Sequence, residues 1–388
     1  MDSDSASKKL LVLGVHLKSE AYPNTLYRLN DMISSGLFEI EEINVPMWTH
    51  GTQNQHGLSR LTRNLWKAMS SHIAVLSRYM TRKHAPRVYI PYPSVFVLFM
   101  LSFLPRTKQR THIVADVFIS LYDTIVLDRH LLKAEGLMAR LLKWMEKRAY
   151  SFADKLVVDT PQNQQFLSTL FGLPKSKFIA IPLSTDETNF VHRPYAPSVS
   201  LACKVLFIGT LVPLHGIGVI LEAIRLLSAE PHIQFKLIGD GQDAHLIEAW
   251  QNKHGIKIEW ERKWQSSSQL AEEIAGADIC LGIFGAGDKT QRVCPFKIYA
   301  YASMGRPIIT GHTNWLVDAI GNLPEEAIAS VAVADAAALA AKIKHLASAP
   351  KQRSELAENG NTYYQERLTN QSALTLLAAC ILEAKPSA

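Results

Sequence analysis

The chain has 388 residues, 47% of them hydrophobic and 20% charged, with a formal net charge of +6. That length is generous for one core and comfortable for two, and the composition excludes a disordered, collagen-like or low-complexity chain. The basic balance, with a pI near 9.0, favours anionic partners, either small phosphates or a membrane surface; no nucleic-acid module accompanies it, so no nucleic-acid partner is expected.

Hydrophobic periodicity divides the chain into alternating strands and helices. Residues 9–15 read as a strand, 24–34 as a helix stopped by Gly36, and 38–44 as a second strand. A basic helical region spans 57–84 with Arg60, Arg63, Lys67, Arg78, Arg82 and Lys83. After a short strand at 88–90 comes the most apolar stretch, 94–104, too short for a bilayer and followed by Arg106, Lys108 and Arg110. Its ordinary meaning is a buried helix; an interfacial one stays open. Strand 111–115 is closed by Asp116, and 117–130, containing SLYDT with Asp123, shows little regular pattern. An amphipathic helix at 131–152, strand 155–158, helix 161–171 and strand 177–181 complete this half.

Residues 192–200, with two prolines and two serines, read as a linker. The alternation then restarts: strand 204–208, helix 217–228, strand 234–238, helix 243–254, strand 256–260, helix 267–275, strand 279–284, and three helices after residue 310. Continuous β-branched strands separated by helices imply parallel sheets covered on both faces. The expected architecture is α/β, with two Rossmann-like doubly wound domains facing a central cleft. Expected boundaries are 1–195, 201–368, and a C-terminal helix at 369–388 returning to the first domain. Ligands in such sheets bind at the carboxyl ends of the strands.

Residues 284–310 carry the densest signal. The small-residue loop Gly285-Ala286-Gly287 leads to Lys289, Arg292 and Lys297, with Pro295 at a helix start, Gly305 at its end and a strand from Pro307. Cations beside free N–H groups at a helix start suit a phosphate-bearing ligand. Gly209-Thr210, His215-Gly216 and Asp240-Gly241 end or follow two neighbouring strands and point to the same edge. The four cysteines lie far apart without a CxxC pair, so reduced thiols are expected and no metal ligand set is seen.

Taken in order, VLFIGTLVPLHGIGVILEAIRLL, KLIGDGQ, ADICLGIFG and PFKIYAYASMGRPII resemble the nucleotide-sugar-binding domain of glycosyltransferase family four. ADVFISLYDT and DTPQNQQFLSTLFG resemble its acceptor-domain segments. The resemblance implies a GT-B fold and metal-independent transfer of a hexosyl group, with retention, from a nucleotide-diphosphate sugar to a glycan or lipid-linked acceptor. The nucleotide sugar is a substrate and no cofactor is implied. Gly209 and Thr210 stand at the phosphate-facing turn, and His215-Gly216 in place of the usual Lys-Gly. Arg262 to Trp264 match the segment framing the base. Ala300 replaces a Glu that accepts from the ribose, leaving Tyr301 or a backbone group to substitute.

Asp116 and Asp123 are the acceptor-side candidates for catalysis, while Lys289 and Arg292 are the candidates for stabilising the departing diphosphate. Cell-surface polysaccharide synthesis is the expected setting, in the cytoplasm and peripheral on the inner membrane face. Two other classes stay open: a nucleotide-sugar epimerase, and a catalytically silent homologue acting as a binding or assembly subunit.

Overall fold

The computed structural model describes residues 8–20, 22–46, 58–82, 85–104, 111–197, 202–321, 323 and 326–383, with the backbone alone described for 58–65. The cationic side chains at 60, 63, 83, 106, 108 and 110, and residues 198–200 of the expected linker, lie outside that set. Contacts divide the chain into two compact units, Met1–Ser184 with Asn370–Ala388, and Thr185–Thr369.

Unit 1 is built on six parallel strands: β1 (Lys9–Gly14), β2 (Glu39–Asn44), β3 (Arg87–Ile90), β4 (His112–Asp116), β5 (Lys155–Val158) and β6 (Phe178–Ala180). Their order is β2-β1-β3-β4-β5-β6. The continuous apolar run of β1 follows from burial on both faces. Leu10 and Val12 join the core made with helices Pro23–Ser34 and Asn370–Leu382. Leu11 and Leu13 face the opposite core, under helices Leu58–Thr81, Val95–Leu101 and Leu137–Phe152. The C-terminal helix thus completes a layer of unit 1.

Unit 2 repeats the plan with β7 (Cys203–Ile208), β8 (Ile233–Ile238), β9 (Glu259–Glu261), β10 (Ile279–Leu281), β11 (Ile308–Gly311) and β12 (Ala329–Val331), ordered β12-β11-β10-β7-β8-β9. The chain runs outward from β7 to β9, then crosses back to β10 on the other side of β7. The strand order therefore reverses between β7 and β10, which is where a doubly wound sheet opens a crevice.

Several expectations are corrected. Residues 192–197 are not a loose linker. The Tyr195 hydroxyl donates to Asp278 at 2.8 Å and accepts from Arg353 at 2.7 Å, and Arg193 pairs with Glu272 at 2.7 Å. These bonds strap the segment onto unit 2, and the change of unit falls at Ser184–Thr185. Helix 131–152 starts only at Leu137, because residues 131–136 form turns. The SLYDT region contains a π-helix, Asp123–Asp128. After residue 311 there are four helices and a strand, β12, among the described residues, rather than three helices.

Candidate functional site

The loops after β7, β8 and β10 meet at the carboxyl edge of the unit 2 sheet, and glycine makes that meeting possible. A methyl group on Gly239 (φ +133°) would overlap the Gly209 carbonyl, and one on Gly241 would overlap the Thr210 carbonyl. Gly216 adopts φ +66°, and a Cβ there would sit 2.6 Å from the Gly285 nitrogen. Only glycine takes that conformation without strain. The Phe284 and Gly285 N–H groups donate to the His215 and Leu214 carbonyls at 3.2 and 3.1 Å. The short 3-10 turn Pro213–His215 also packs against a second one, Asp288–Gln291.

Next to Gly209 the side chains of His215 and Lys297 pack together on Phe207. The His215 ring meets Phe207 edge-on at 5.6 Å, and Lys297 Nζ lies 3.9 Å from the centre of the Phe207 ring. A Cβ on Gly209 would stand 2.8 Å from His215 Cε1 and 2.9 Å from Lys297 Nζ, so the bare glycine backbone is what leaves both side chains room. Lys297 projects from the first turn of helix Phe296–Ser303 and is 8% exposed. Its amine donates weakly to the Gly282 carbonyl at 3.4 Å. Burial pushes the amine well below the usual lysine range.

The loop after β10 adds two more cations. Lys289 is half-buried, and Arg292 is buried, with its Nε donating to Asp288 at 2.9 Å. Between them the Thr290 hydroxyl is fully buried without a hydrogen-bond partner among the described residues. Sequence reasoning passed over this threonine, as it did Phe207. An apolar-looking strand residue and a lone hydroxyl acquire meaning only from what the fold sets beside them.

The other expected donor residues divide. Thr210 and Trp264 are exposed, Trp264 by 67%. Arg262 lies 4.8 Å above the Trp260 ring and pairs with Asp240 at 3.0 Å and with Glu248. It clamps the turn after β8 to helix Ala244–His254. Tyr301 is fully buried, and its hydroxyl accepts the Ile208 N–H at the end of β7 at 3.1 Å. Ala300 is buried beside it.

In unit 1, Asp116 is not an open carboxylate. It is fully buried at the end of β4; Oδ1 accepts from Arg28 at 2.7 Å and Oδ2 from the Tyr89 hydroxyl at 2.6 Å. Burial raises its pKa despite the guanidinium. Arg28 also donates to the Pro182 carbonyl at 2.6 Å, tying helix Pro23–Ser34 to the chain after β6. Asp123 is buried, and its N–H donates to Ser120 Oγ at 3.1 Å. What organises this region is a residue the sequence reading missed. Glu146, fully buried, accepts from the Leu121 and Tyr122 N–H groups at 2.8 and 2.7 Å and from the Ser120 and Tyr150 hydroxyls at 2.9 and 2.8 Å. A mid-helix glutamate among Lys and Arg reads as solvated surface until the fold places it.

Among the described residues no group of three or more His, Cys, Asp or Glu is arranged to hold a metal ion, and no helix is long and apolar enough to cross a membrane. No curated protein matches the chain by sequence. Its fold is shared with HepE of Anabaena, solved with UDP, at a TM-score of 0.63 and 13% identity over 95% of this chain and 98% of that one. Sucrose-phosphate synthase from Thermosynechococcus elongatus superposes at a TM-score of 0.69 with 16% identity, over 95% and 96% of the two chains. The catalytic domain of starch synthase IV from Arabidopsis thaliana, bound to ADP and acarbose, gives 0.67 and 12% over 97% and 99%. The two parallel six-stranded sheets and their helices are those of GT-B glycosyltransferase structures. Residues 202–349, which include His215, Lys289, Arg292 and Lys297, match the family model described as glycosyl transferases group 1.

Proposed function

We propose that the chain is a retaining glycosyltransferase that moves a hexosyl group from a nucleotide-diphosphate sugar to a glycan or lipid-linked acceptor. The observation that carries this reading is His215 and Lys297 meeting at Gly209, with Lys289 and Arg292 on the loop after β10, all inside the segment that matches the glycosyl transferases group 1 model. HepE has been solved with UDP-glucose and the starch synthase domain with ADP, which supports a nucleoside diphosphate as the ligand class.

Chemistry follows from charge. Cleavage of the anomeric C–O bond leaves negative charge on the diphosphate. Prearranged cations and N–H groups stabilise that charge more in the transition state than in the ground state. Lys289 and Arg292 supply the opposing positive charge from the loop after β10, and Lys297 from the helix start. With Ala300 apolar and the Tyr301 hydroxyl buried against the Ile208 N–H, neither side chain offers the ribose an exposed acceptor. Asp116 positions rather than reacts, holding Arg28 and the end of β4. The reaction needs no divalent metal. Its setting is cell-surface polysaccharide synthesis in the cytoplasm, with the chain peripheral on the inner membrane face.

Ala300 favours one second reading, a binding subunit that holds the nucleotide sugar without turning it over. Release of nucleoside diphosphate from a panel of nucleotide sugars separates the two, with NMR of the product anomer testing retention. Release that is lost in the Lys289→Ala/Arg292→Ala double variant supports transfer. Binding without release from any donor, with acceptors present, supports the second reading.

A further inference from the structure

We propose that the outer surface of the three-helix layer of unit 1 is a docking face for an anionic lipid bilayer. Helix Leu58–Thr81 exposes Trp66 (69%), Met69, Ile73 and Met80, spaced so that they form one stripe. Helix Leu137–Phe152 exposes Leu137 (80%), Met138, Leu141 and Trp144. Helix Val95–Leu101 buries Val95, Val97, Leu98 and Leu101 in the core, so most of this apolar stretch is not a membrane element. Its outward Phe96, and Phe103 just beyond it, remain exposed.

The three helices form one connected layer. Phe96 meets His72 at 5.7 Å, Phe99 meets Trp144 at 5.5 Å, and the Arg148 guanidinium lies 4.2 Å above Phe103. Arg148 also donates to Ser102 Oγ and to its carbonyl at 3.0 and 3.1 Å. Large apolar side chains this exposed, gathered on one layer, ordinarily mark an interaction surface.

Charge selects the occupant. Helix Leu58–Thr81 contains no Asp or Glu, and Val95–Leu101 no charged residue at all. The single acid of Leu137–Phe152 is Glu146, buried among its hydrogen-bond donors, while Arg140 and Lys147 are exposed. Glu135 precedes that helix, flanked by Lys133 and Arg140. Lys67, Arg78, Arg140 and Lys147 have no acidic partner among the described residues. Arg82 is held by Glu41 and takes no part. Exposed Trp and Leu beside unpaired Lys and Arg, without exposed carboxylates on the helices, is the pattern that settles at the headgroup boundary of an anionic leaflet.

This proposal rests on the peripheral-membrane part of the proposed function and names its surface; because that surface lies in unit 1 and is read by vesicle binding, its failure would leave the donor-site reading standing. The experiment is vesicle co-sedimentation with phosphatidylcholine alone and with added phosphatidylglycerol. It uses the wild type, a Leu141→Ser/Trp144→Ser variant and an Arg140→Gln/Lys147→Gln variant, all at exposed positions, with circular dichroism checking that each is folded. The expected result is salt-sensitive binding that requires phosphatidylglycerol. Each cation removed weakens it by about fivefold, and the apolar variant loses it. Equal binding by wild type and both variants, or no sedimentation with anionic vesicles at low salt, overturns the proposal. So does a concentration-dependent dimer, seen by light scattering and abolished by the Leu141→Ser/Trp144→Ser variant, which would assign this face to a second copy of the chain.

Discussion

Replacing Lys297 with methionine should raise stability and lower ligand affinity at once. Lys297 is 8% exposed, and its Nζ meets the Phe207 ring at 3.9 Å and the Gly282 carbonyl at 3.4 Å. A desolvated cation–π contact offsets about 2 kcal/mol and a long charged hydrogen bond about 1 kcal/mol, while taking an ammonium out of water costs several kcal/mol. The ligand-free balance is therefore unfavourable by ~1–2 kcal/mol. Methionine keeps the stem and packs its sulfur on Phe207. The melting temperature should rise by roughly 2–8 °C, at about 2–4 °C per kcal/mol for a domain of this size.

The pH dependence has a definite sign. Burial lowers the folded-state pKa of Lys297 below the ordinary lysine value of 10.5. Between those two values the unfolded chain holds more protons than the folded one, so wild-type stability rises with pH across that window. The advantage of methionine is full below the window and fades as pH approaches the ordinary lysine value. Binding of UDP, GDP or ADP, whichever the wild type prefers, should weaken by about 1–3 kcal/mol, because the lost contact is charge-assisted. Thermal melts over neutral to alkaline pH, with and without nucleotide, read both effects. A methionine variant that melts lower than wild type by a pH-independent margin, or one with an unchanged nucleotide-induced shift, would refute the reasoning.

Lys289→Ala and Arg292→Ala should each weaken nucleoside diphosphate binding by about 1–3 kcal/mol, measured by calorimetry. Asp116→Ala leaves Arg28 buried without its carboxylate and should lower unfolding free energy in urea by about 3–5 kcal/mol, with nucleotide affinity unchanged. Sugar transfer should survive a chelator; loss restored by Mg²⁺ or Mn²⁺ would contradict the metal-free reading. Glu42 is held down at about 2, first by its hydrogen bond from His16 and then by Lys18. A depressed carboxylate contributes stability above its unfolded value of 4.5 and loses it as pH falls towards 2, so Glu42→Gln should flatten the acid limb of a stability titration in that window.

The elements with local punctuation were legible in the sequence. Helix Pro161–Phe171 has Pro at its start, Thr160 capping Asn163 and Gly172 at φ +61° at its end, and its ends are as expected. Helix Ser267–Ala275 is set by the Ser266–Gln269 capping box, and Phe296–Ser303 by Pro295 and Gly305. What was not legible depends on residues far apart in the chain. Nothing near SLYDT announces that Glu146, from about 25 residues downstream, will bind its N–H groups. Strand β12 is only three residues long and exists because β11 pairs with it. Composition made 192–200 look like a linker, whereas Tyr195 and Arg193 find partners on unit 2. Asp116 shows the same effect at a candidate site. A carboxylate ending a parallel strand looks like a ligand-facing group until Arg28 and Tyr89 enclose it.

The central claim is that the loops after β7, β8 and β10 hold a nucleoside diphosphate, and photolabelling tests both the ligand and the place. The chain would be irradiated with azido derivatives of UDP, GDP and ADP and digested, and the labelled peptides identified by mass spectrometry. The account predicts label in the segments 209–216, 239–242, 260–265 or 282–297 for at least one nucleotide. That label should be displaced by the parent diphosphate and lost in the Lys289→Ala/Arg292→Ala variant. Displaceable label confined to other segments, or no displaceable label with any of the three, would contradict it.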